Sequence, residues 1–274
     1  MSVDRNYWND RVVLVTGASE GLGRHVALRL AGLGARVTAL ARRADALAEL
    51  ADAAGPQSPP VATASCDVTK SAEVAEAVQQ VRARHGRIDG VFHCVGRSMR
   101  GRVLETSPEV FRELWEVNFL SAVLMAQATV PDLMARQGHF VAVGSLASRV
   151  AARYLGAYPS AKAALALFMH QLRLEHARQG LHAMLVLSGP IARADAGQRY
   201  TGQSQGLPES ASRPGGGAKV AAIQPDKLVD QMLVGCQRRD PELVVPRSAR
   251  ILFAMLSFFP NWADSVVLHK TEGD

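Results

Sequence analysis

The sequence feature that most constrains the fold is a short apolar run that leads through a glycine-rich turn into a helical pattern. Residues 11–16 (RVVLVT) are mostly β-branched and apolar, which predicts a buried strand. The turn 17–23 (GASEGLG) follows, and apolar residues then recur at helical spacing as far as Gly34. Glycines let a pyrophosphate approach the backbone at the positive end of a helix. We therefore predict a nucleotide site, and the alternative is a tight turn that binds nothing.

The alternation of strand and helix continues along the chain. Further strands are predicted at residues 36–41, 61–66, 88–94, 140–143, 181–187 and 243–245. Helices are predicted at residues 45–54, from 71 onward, 107–130, from 155 onward and 224–237. This pattern is typical of an α/β chain whose parallel sheet is covered on both faces and binds ligands at the carboxyl ends of its strands.

The residues at the end of the second predicted strand indicate which of two dinucleotides, NAD(H) or NADP(H), the site prefers. An acidic residue there would accept hydrogen bonds from the free 2′-hydroxyl of NAD(H), but this chain has Ala41 followed by Arg42 and Arg43. A guanidinium group suits the 2′-phosphate of NADP(H), which it can meet with two parallel hydrogen bonds. NADP(H) is therefore favoured over NAD(H). The alternative is that both arginines are a solvated helix start, and Glu20 near the same phosphate argues against our preference.

Tyr158 and Lys162 lie one helical turn apart if the chain is helical from residue 155 onward. A free tyrosine titrates near 10, so bringing it to neutral pH requires about 3 units, or about 4 kcal/mol. A cation about 4 Å away supplies about 4 kcal/mol at an effective dielectric constant of about 20. Ser145, at the end of a predicted strand, would hold a substrate oxygen while Tyr158 moves the proton. For the tyrosine and lysine alone, the alternative is a surface pair.

Other candidate contacts lie near strand ends or within helices. Asp67, followed by Val68, would meet the adenine amino group of a nucleotide or cap the following helix. Asn118, among apolar helical residues, would hold backbone groups or belong to a water relay behind Lys162. The segment 188–191 (SGPI) would pass under a nicotinamide carboxamide.

Residues 192–222 contain many glycines and prolines, which break regular structure. A segment of about 30 residues is long for a passive connection, so we expect it to be mobile and to close over substrate.

Charge and composition exclude several classes of function. The net charge is +6 and the pI about 9.6, but the chain has no dense basic run with interleaved aromatic residues, so we expect no nucleic-acid partner. The 3 cysteines and 8 histidines are scattered, which predicts reduced thiols and no metal site. The N-terminus lacks the apolar core of a signal peptide, and no apolar run reaches about 18 residues. We expect a cytoplasmic protein.

Taken together, these residues resemble the short-chain dehydrogenase/reductase family over residues 12 to about 245. The matches are the Thr-Gly-x-x-x-Gly-x-Gly turn, Asp67, Asn118, Ser145 and the Tyr-x-x-x-Lys pair, in the family's order. The resemblance implies a doubly wound, Rossmann-type α/β/α fold in three layers around a mainly parallel, seven-stranded sheet.

The resemblance also implies roles for individual residues. It implies that Tyr158 is the catalytic acid/base, and that Ser145 orients the substrate oxygen. It implies that Lys162 lowers the pKa of the phenol and holds the nicotinamide ribose, and that Asn118 supports the proton relay. The implied cofactor-binding residues are Gly17, Ser19, Glu20, Gly21, Leu22, Gly23, Arg42, Arg43, Asp67, Val68, Gly96, Tyr158, Lys162, Pro190 and Ile191.

The chain departs from the family pattern at three places. Residues 93–96 (HCVG) stand where the family usually has Asn-Asn-Ala-Gly, and Ser188 stands where a proline is common. Arg193 replaces a threonine that often touches the cofactor amide. None of these changes removes a proton-transfer group, so we expect activity with an altered pocket.

The C-terminal segment 247–270 is the part least like the family. Its apolar residues are flanked by Arg247, Arg250 and Lys270. They would pack against the chain's own domain or a second subunit, or lie at a membrane surface as a peripheral contact. We expect residues 1–246 to form one domain that includes the substrate loop 192–222, with 247–274 as its amphipathic extension.

These expectations converge on an NADP(H)-dependent oxidoreductase that interconverts a ketone or aldehyde with an alcohol, acts on a lipid- or steroid-like substrate, and forms a homodimer or homotetramer. The alternatives are an NADP(H)-sensing regulator without catalysis, an NAD-dependent alcohol dehydrogenase of the same family, and a lipid-surface binding module.

Overall fold

Seven strands form one sheet in which every neighbouring pair is parallel. The computed structural model describes residues 2–193, 200, 202–213 and 221–271, without the side chains of 270 and 271. The strands are β1 (Val12–Thr16), β2 (Arg36–Ala41), β3 (Ala62–Ser65), β4 (Gly90–His93), β5 (His139–Val143), β6 (His182–Ser188) and β7 (Glu242–Val245). Their order is β3-β2-β1-β4-β5-β6-β7, so the winding reverses between β1 and β4. The predicted doubly wound sheet is confirmed.

Helices connect the strands and cover both faces of the sheet. In the described part of the chain they are α1 (Arg5–Trp8), α2 (Gly21–Gly32), α3 (Ala44–Ala53), α4 (Ser71–His85), α5 (Pro108–Trp115), α6 (Ser121–Ala135), α7 (Tyr158–His176), α8 (Pro225–Arg238), α9 (Ala249–Phe258) and α10 (Pro260–Thr271).

Strand β1 shows how the sheet separates two apolar cores. Val12 and Leu14 point into the core that contains α4, α6 and α7, whereas Val13 and Val15 point into the core that contains α2, α3 and α8. All five residues of β1 are buried. Because successive side chains of a strand point to opposite faces, a strand covered on both sides reads as a continuous apolar run. This explains why the central strands were evident from the sequence.

The stretch predicted as one helix over residues 107–130 is longer and is interrupted. Helix α5 ends at Trp115, a wider π-turn covers Glu116–Leu120, and α6 then continues to Ala135. The predicted end at residue 130 is wrong because Pro131 lies inside α6. A proline within a helix removes one hydrogen bond. The helix nevertheless continues to Ala135, and Leu133 beyond the proline is buried in the core.

Two further boundaries differ from the prediction. The helix expected from residue 155 begins at Tyr158, so the tyrosine occupies its first turn. Helix α1 was not predicted, because four residues carry little periodicity. It is stabilised by tertiary packing, since the buried Trp8 ring lies 5.9 Å from that of Phe92.

By length and composition alone, one helical stretch of the described chain, Pro108–Ala135, would be long and apolar enough to cross a membrane. The sequence expectation concerned an unbroken apolar run of about 18 residues, and this stretch is not one, since it contains Asn118, Gln127 and Asp132. Part of the stretch packs on the sheet, where Met125 and Leu133 are fully buried.

Candidate active site

A cavity of about 820 Å³ lies at the carboxyl ends of the central strands, near the reversal of winding. Most of the predicted site residues line it: Gly17, Ser19, Glu20, Gly21, Leu22, Arg42, Asp67, Val68, Gly96, Ser145, Tyr158, Lys162, Pro190 and Ile191. Gly23, Arg43 and Asn118 do not line it. The structure therefore brings residues from separate strands and helices to one cavity.

The glycine turn has the backbone geometry of a phosphate cradle. Gly17 has a φ of +67° and Gly21 a φ of +54°, values that favour glycine. A Cβ atom on Gly23 would lie 2.3 Å from the carbonyl oxygen of Gly17, so α2 packs this closely against the turn only with glycine there. The backbone thus stays accessible at the start of α2, which fits the diphosphate of a dinucleotide.

The two arginines after β2 have different surroundings. Arg42 is exposed and lines the cavity, and it forms no ion pair within the described part of the chain. Arg43 pairs with Glu20, its Nη2 atom lying 2.9 Å from Oε2 of the carboxylate. Arg193 approaches the other oxygen of Glu20, with 3.2 Å between Nη2 and Oε1. The structure therefore separates the predicted pair into one cavity-lining arginine and one arginine held by Glu20.

Asp67 stabilises a turn at the end of β3. Its Oδ1 atom accepts hydrogen bonds from the backbone N–H of Thr69 (3.0 Å) and from the Thr69 hydroxyl (2.8 Å). Burial raises the pKa of Asp67, but these bonds together with the charges of Arg42 and Lys70 outweigh that effect, and the net pKa is lowered. The N-cap of α4 is Lys70, so the alternative in which Asp67 caps that helix is wrong. Its carboxylate stays at the cavity wall.

Tyr158 and Lys162 lie one turn apart on α7 and both line the cavity. Lys162 is 2% exposed, which rules out the alternative of a surface pair. Its Nζ atom donates a 2.9 Å hydrogen bond to the carbonyl of Val143. Burial lowers the pKa of Lys162 to about 8, because a cation is costly away from water. The lysine is therefore still mostly protonated at neutral pH.

The buried Lys162 cation has no carboxylate as an ion-pair partner among the described residues. The nearby ionisable group that acts on it is the Cys94 thiol. Burial raises the pKa of Cys94 to about 12, although Lys162 opposes this, so the thiol stays neutral at pH 7. The field of the cation is thus available to an anion that forms in the cavity, such as a phenolate.

Ser145 lies two residues after β5 and begins a short 3₁₀ turn, Leu146–Ser148. Its Oγ atom accepts a 3.1 Å hydrogen bond from the N–H of Ala147. Ser148 Oγ in turn accepts from the N–H of Ser145 at 3.3 Å. The turn fixes the serine at the cavity wall, and its hydroxyl hydrogen can still donate.

Asn118 lies in the π-turn and is fully buried. Its amide accepts from the N–H of Arg97 (3.0 Å) and donates to the carbonyls of Arg97 (2.9 Å) and Leu114 (3.0 Å). These contacts match the interpretation of Asn118 as a residue that holds backbone groups. It fixes the segment after β4, where a Cβ atom on Gly96 would lie 2.9 Å from Lys162 Nζ.

His93, which departs from the family pattern, links two elements behind the cavity. Its Nδ1 atom lies 3.0 Å from the Thr16 hydroxyl, and its Nε2 atom lies 3.1 Å from the Ser121 hydroxyl. Burial and, to a smaller extent, the charge of Lys162 together lower the pKa of His93 to about 3. The imidazole therefore stays neutral and connects β4 to β1 and α6.

Several cavity residues were not predicted as site residues. Leu252, Phe253 and Val267, from α9 and α10, form part of the wall, as do Arg193 and Tyr200. The apolar residues of α9 were visible in the sequence, but nothing in the sequence indicates which face would turn toward the cavity.

Two described pieces of the predicted substrate loop, residue 200 and residues 202–213, contact Arg100. This arginine is 4% exposed, its Nη2 atom donates to the carbonyl of Arg213 at 3.0 Å, and its guanidinium lies 3.7 Å from the Tyr200 ring centroid. Residues 194–199, 201 and 214–220 of the predicted mobile loop lie outside the described residues.

A second cluster lies at the opposite end of the sheet. His139 and His182 begin β5 and β6 in register, and their Nδ1 atoms are 2.8 Å apart. His139 Nε2 lies 2.7 Å from the Tyr7 hydroxyl, and His182 Nε2 lies 2.9 Å from the carbonyl of Asp240. The Cys236 thiol lies within 4.8 Å of both. These two of the eight histidines, which are far apart in the sequence, are therefore joined in one hydrogen-bonded chain.

The fold and the cavity define a Rossmann-type α/β protein with a glycine turn and a tyrosine–lysine pair at one cleft. A family model described as short chain dehydrogenase matches residues 11–204. The chain therefore belongs to the short-chain dehydrogenase family, a family of oxidoreductases.

Individual relatives are consistent with this assignment. The chain is 31% identical over 189 residues to dehydrogenase/reductase SDR family member 7B of Danio rerio, and the match covers 66% of this chain and 61% of that protein's own length. A solved short-chain dehydrogenase from Streptomyces avermitilis has a TM-score of 0.77 at 24% identity, with 96% of this chain and 97% of that chain covered. A metagenomic short-chain oxidoreductase in complex with NADP has a TM-score of 0.70 at 25% identity. That match covers 87% of this chain and 98% of that chain.

Proposed function

We propose that this protein is an NADP(H)-dependent oxidoreductase that interconverts a ketone or aldehyde with an alcohol. The observation that carries the proposal is that the glycine turn, Arg42 and the pair Tyr158 and Lys162 line one cavity. A dinucleotide-binding turn and a proton-transfer pair are both needed for this reaction, and neither alone defines it.

Tyr158 is the acid and base of the proposed reaction. In reduction, the phenol gives its proton to the carbonyl oxygen as the carbonyl carbon gains a hydride. In oxidation, the phenolate removes the hydroxyl proton as the same carbon loses the hydride. The buried cation of Lys162 stabilises the phenolate, and the Ser145 hydroxyl donates to the substrate oxygen. When bound, a nicotinamide dinucleotide supplies or accepts the hydride.

The proposal of NADP(H) rests on the charges at the adenosine end of the cavity. Arg42 follows β2 and forms no ion pair within the described residues, so its guanidinium is available to a 2′-phosphate. Glu20 would repel that phosphate, but its carboxylate is paired with Arg43 and Arg193. The NADP complex of the metagenomic oxidoreductase agrees with this choice.

An apolar, lipid- or steroid-like carbonyl compound is the proposed substrate class. Side chains from four separate segments add apolar surface to the cavity wall: Leu146, Val150, Leu155, Leu252, Phe253 and Val267. A wall of this composition favours apolar substrate surface over a polar sugar.

Replacing Tyr158 with phenylalanine tests the proposal directly. We expect Y158F to lose turnover by at least about a thousandfold, at the upper part of the range for removal of a general acid. NADPH binding should stay within a few-fold, because the phenol is removed and the ring is kept. The matched control is Y154F, since the Tyr154 hydroxyl contacts Arg153 and this residue does not line the cavity.

The assay is absorbance at 340 nm with NADPH and a panel of apolar ketones and aldehydes. Near-normal turnover by Y158F would contradict the assignment of the acid. NADPH binding without turnover of any carbonyl compound would favour the alternative of a cofactor-sensing regulator.

We also propose that the outer face of α9 and α10 contacts a lipid surface. These helices line the cavity with one face, and Arg247 and Arg250 are exposed at the start of α9. Exposed apolar residues beside basic ones suit an anionic bilayer interface. The exposed apolar residues are Ile251, Phe258, Phe259, Trp262 and Leu268.

Pelleting with vesicles of phosphatidylcholine and phosphatidylserine tests this contact. The wild-type protein should leave the supernatant, and F258E should remain in it because Phe258 is 77% exposed. A wild-type protein that stays in the supernatant would contradict the proposal.

Self-association through α7 is a separate proposal. Leu167 and Leu174 are 69% and 70% exposed and lie seven residues apart, on one face of the helix. A second copy would cover this face. Light scattering on a sizing column should give a dimer or tetramer, and L174E should shift it toward the monomer.

A further inference from the structure

Arg193 reaches from the segment after β6 to the glycine turn. A Cβ atom on Gly21 would lie 3.0 Å from its Nη1 atom, so the guanidinium lies directly beside the turn. Its side chain is 29% exposed and lines the cavity. A cation is thus held beside the glycine turn at the cavity wall.

The carboxylate that pairs with Arg193 belongs to Glu20, which lies at the start of α2 beside the glycine turn. Glu20 is the N-cap of α2, but its side chain makes no capping hydrogen bond. Its two oxygens contact Arg43 and Arg193 instead. The first N–H groups of α2 therefore have no side-chain acceptor from the cap and remain available to an anion.

We propose that Arg193 binds the diphosphate of the cofactor and exchanges Glu20 for a phosphate oxygen when the cofactor binds. The inference rests on the proposed function, because it takes the ligand to be a dinucleotide. A phosphate at the start of α2 would lie near the negative charge of Glu20, and Arg193 provides a cation beside that carboxylate. Glu20 keeps Arg43 as its partner, so the exchange leaves no carboxylate without a cation.

Arg193 is then a cofactor-binding residue, and its contribution is confined to the diphosphate. In the proposed function, Arg42 binds the 2′-phosphate of the adenosine. A probe that carries the 2′-phosphate without the diphosphate therefore separates the two contacts. Adenosine 2′-monophosphate is such a probe.

The experiment compares R193A and R193K with the wild-type protein, and R29A serves as the matched control. Arg29 pairs with Asp230 away from the cavity, so R29A removes the same charge without touching the site. Binding of NADPH is measured by fluorescence titration, and binding of adenosine 2′-monophosphate by calorimetry. Melting temperatures establish that each variant is folded.

We expect R193A to bind NADPH about tenfold or more weakly, which is the loss expected for a hydrogen bond between charged groups. R193K should lose less affinity for NADPH, because lysine keeps the positive charge. Adenosine 2′-monophosphate should bind all variants within about twofold, and R29A should match the wild type.

Equal NADPH affinity in R193A and wild type would overturn the inference. Equal losses for NADPH and adenosine 2′-monophosphate would also overturn it, since Arg193 would then act on the whole site. A wild-type protein that binds no NADPH would instead remove the proposed function on which the inference rests.

Discussion

The Nζ atom of Lys162 donates a 2.9 Å hydrogen bond to the backbone carbonyl of Val143, the last residue of β5. This bond joins α7, which carries Tyr158, to the strand end that precedes Ser145. A carbonyl oxygen accepts a hydrogen bond from the ammonium group but does not neutralise its charge. No carboxylate among the described residues does so either. The same contact therefore aligns the proposed catalytic groups and maintains the charge that acts on them.

Replacing Lys162 with methionine is expected to abolish turnover without lowering the melting temperature at pH 7. Burial lowers the pKa of Lys162 from 10.5 to about 8, so the unfolded chain binds more protons between these values. The charged lysine therefore lowers native stability below pH 8, and this loss disappears as pH rises above 10.5. Removing the charge should offset the lost bond to Val143.

The measurement is a melting curve beside the 340 nm assay, with the exposed Lys227 replaced by methionine as the control. A strongly lowered melting temperature in K162M would mean that Lys162 serves mainly to hold the structure.

Replacing Arg42 with alanine is expected to raise the KM for NADPH tenfold or more and to leave the KM for NADH nearly unchanged. The 2′-phosphate would lose a charge-assisted hydrogen bond, which is worth about 1.5–3 kcal/mol. R29A provides the comparison, because Arg29 is paired with Asp230 and does not line the cavity. An equal rise in the KM values for NADPH and NADH would mean that Arg42 does not contact the 2′-phosphate.

Replacing Gly96 with alanine is expected to reduce turnover strongly in a folded protein. The new Cβ would lie 2.9 Å from Lys162 Nζ and 3.1 Å from Asn118 Oδ1, so the lysine must move. G32A is the matched control, because a Cβ on Gly32 meets nothing within 4 Å. Full activity in G96A, measured at 340 nm, would contradict the prediction, because Lys162 could then move without loss of turnover.

Native stability is expected to fall as pH falls below about 6.5. Burial lowers the pKa of His93 to about 3 and that of His182 to about 4, and it also lowers the pKa of His139. The unfolded chain therefore takes up these protons first, and each histidine contributes up to about 1.4 kcal/mol per pH unit. Urea unfolding between pH 7.5 and 5 measures the slope.

The variant H93N provides the comparison for this pH dependence. Asparagine keeps polar groups for Thr16 and Ser121 but does not titrate, so the slope should decrease by roughly one third. An unchanged slope would assign the acid sensitivity to other groups.

The sequence alone was sufficient for features whose physical cause is local. A buried strand reads as an apolar run because both of its faces are covered, as in β1, and a helix repeats every 3.6 residues, as in α2. The glycine turn joins the two. Tyr158 and Lys162 belong to the same group of features, since their separation is one helical turn.

Tertiary structure decided the relationships between distant residues that no local pattern indicates. Arg193 meets Gly21, His139 meets His182, and α9 supplies part of the cavity wall, yet no periodicity or spacing links these partners. Sheet register and helix packing set such distances, and both depend on the whole apolar core. Local patterns therefore determined which chemical groups the chain possesses and on which elements they lie. Only the folded core determined which of those groups come into contact.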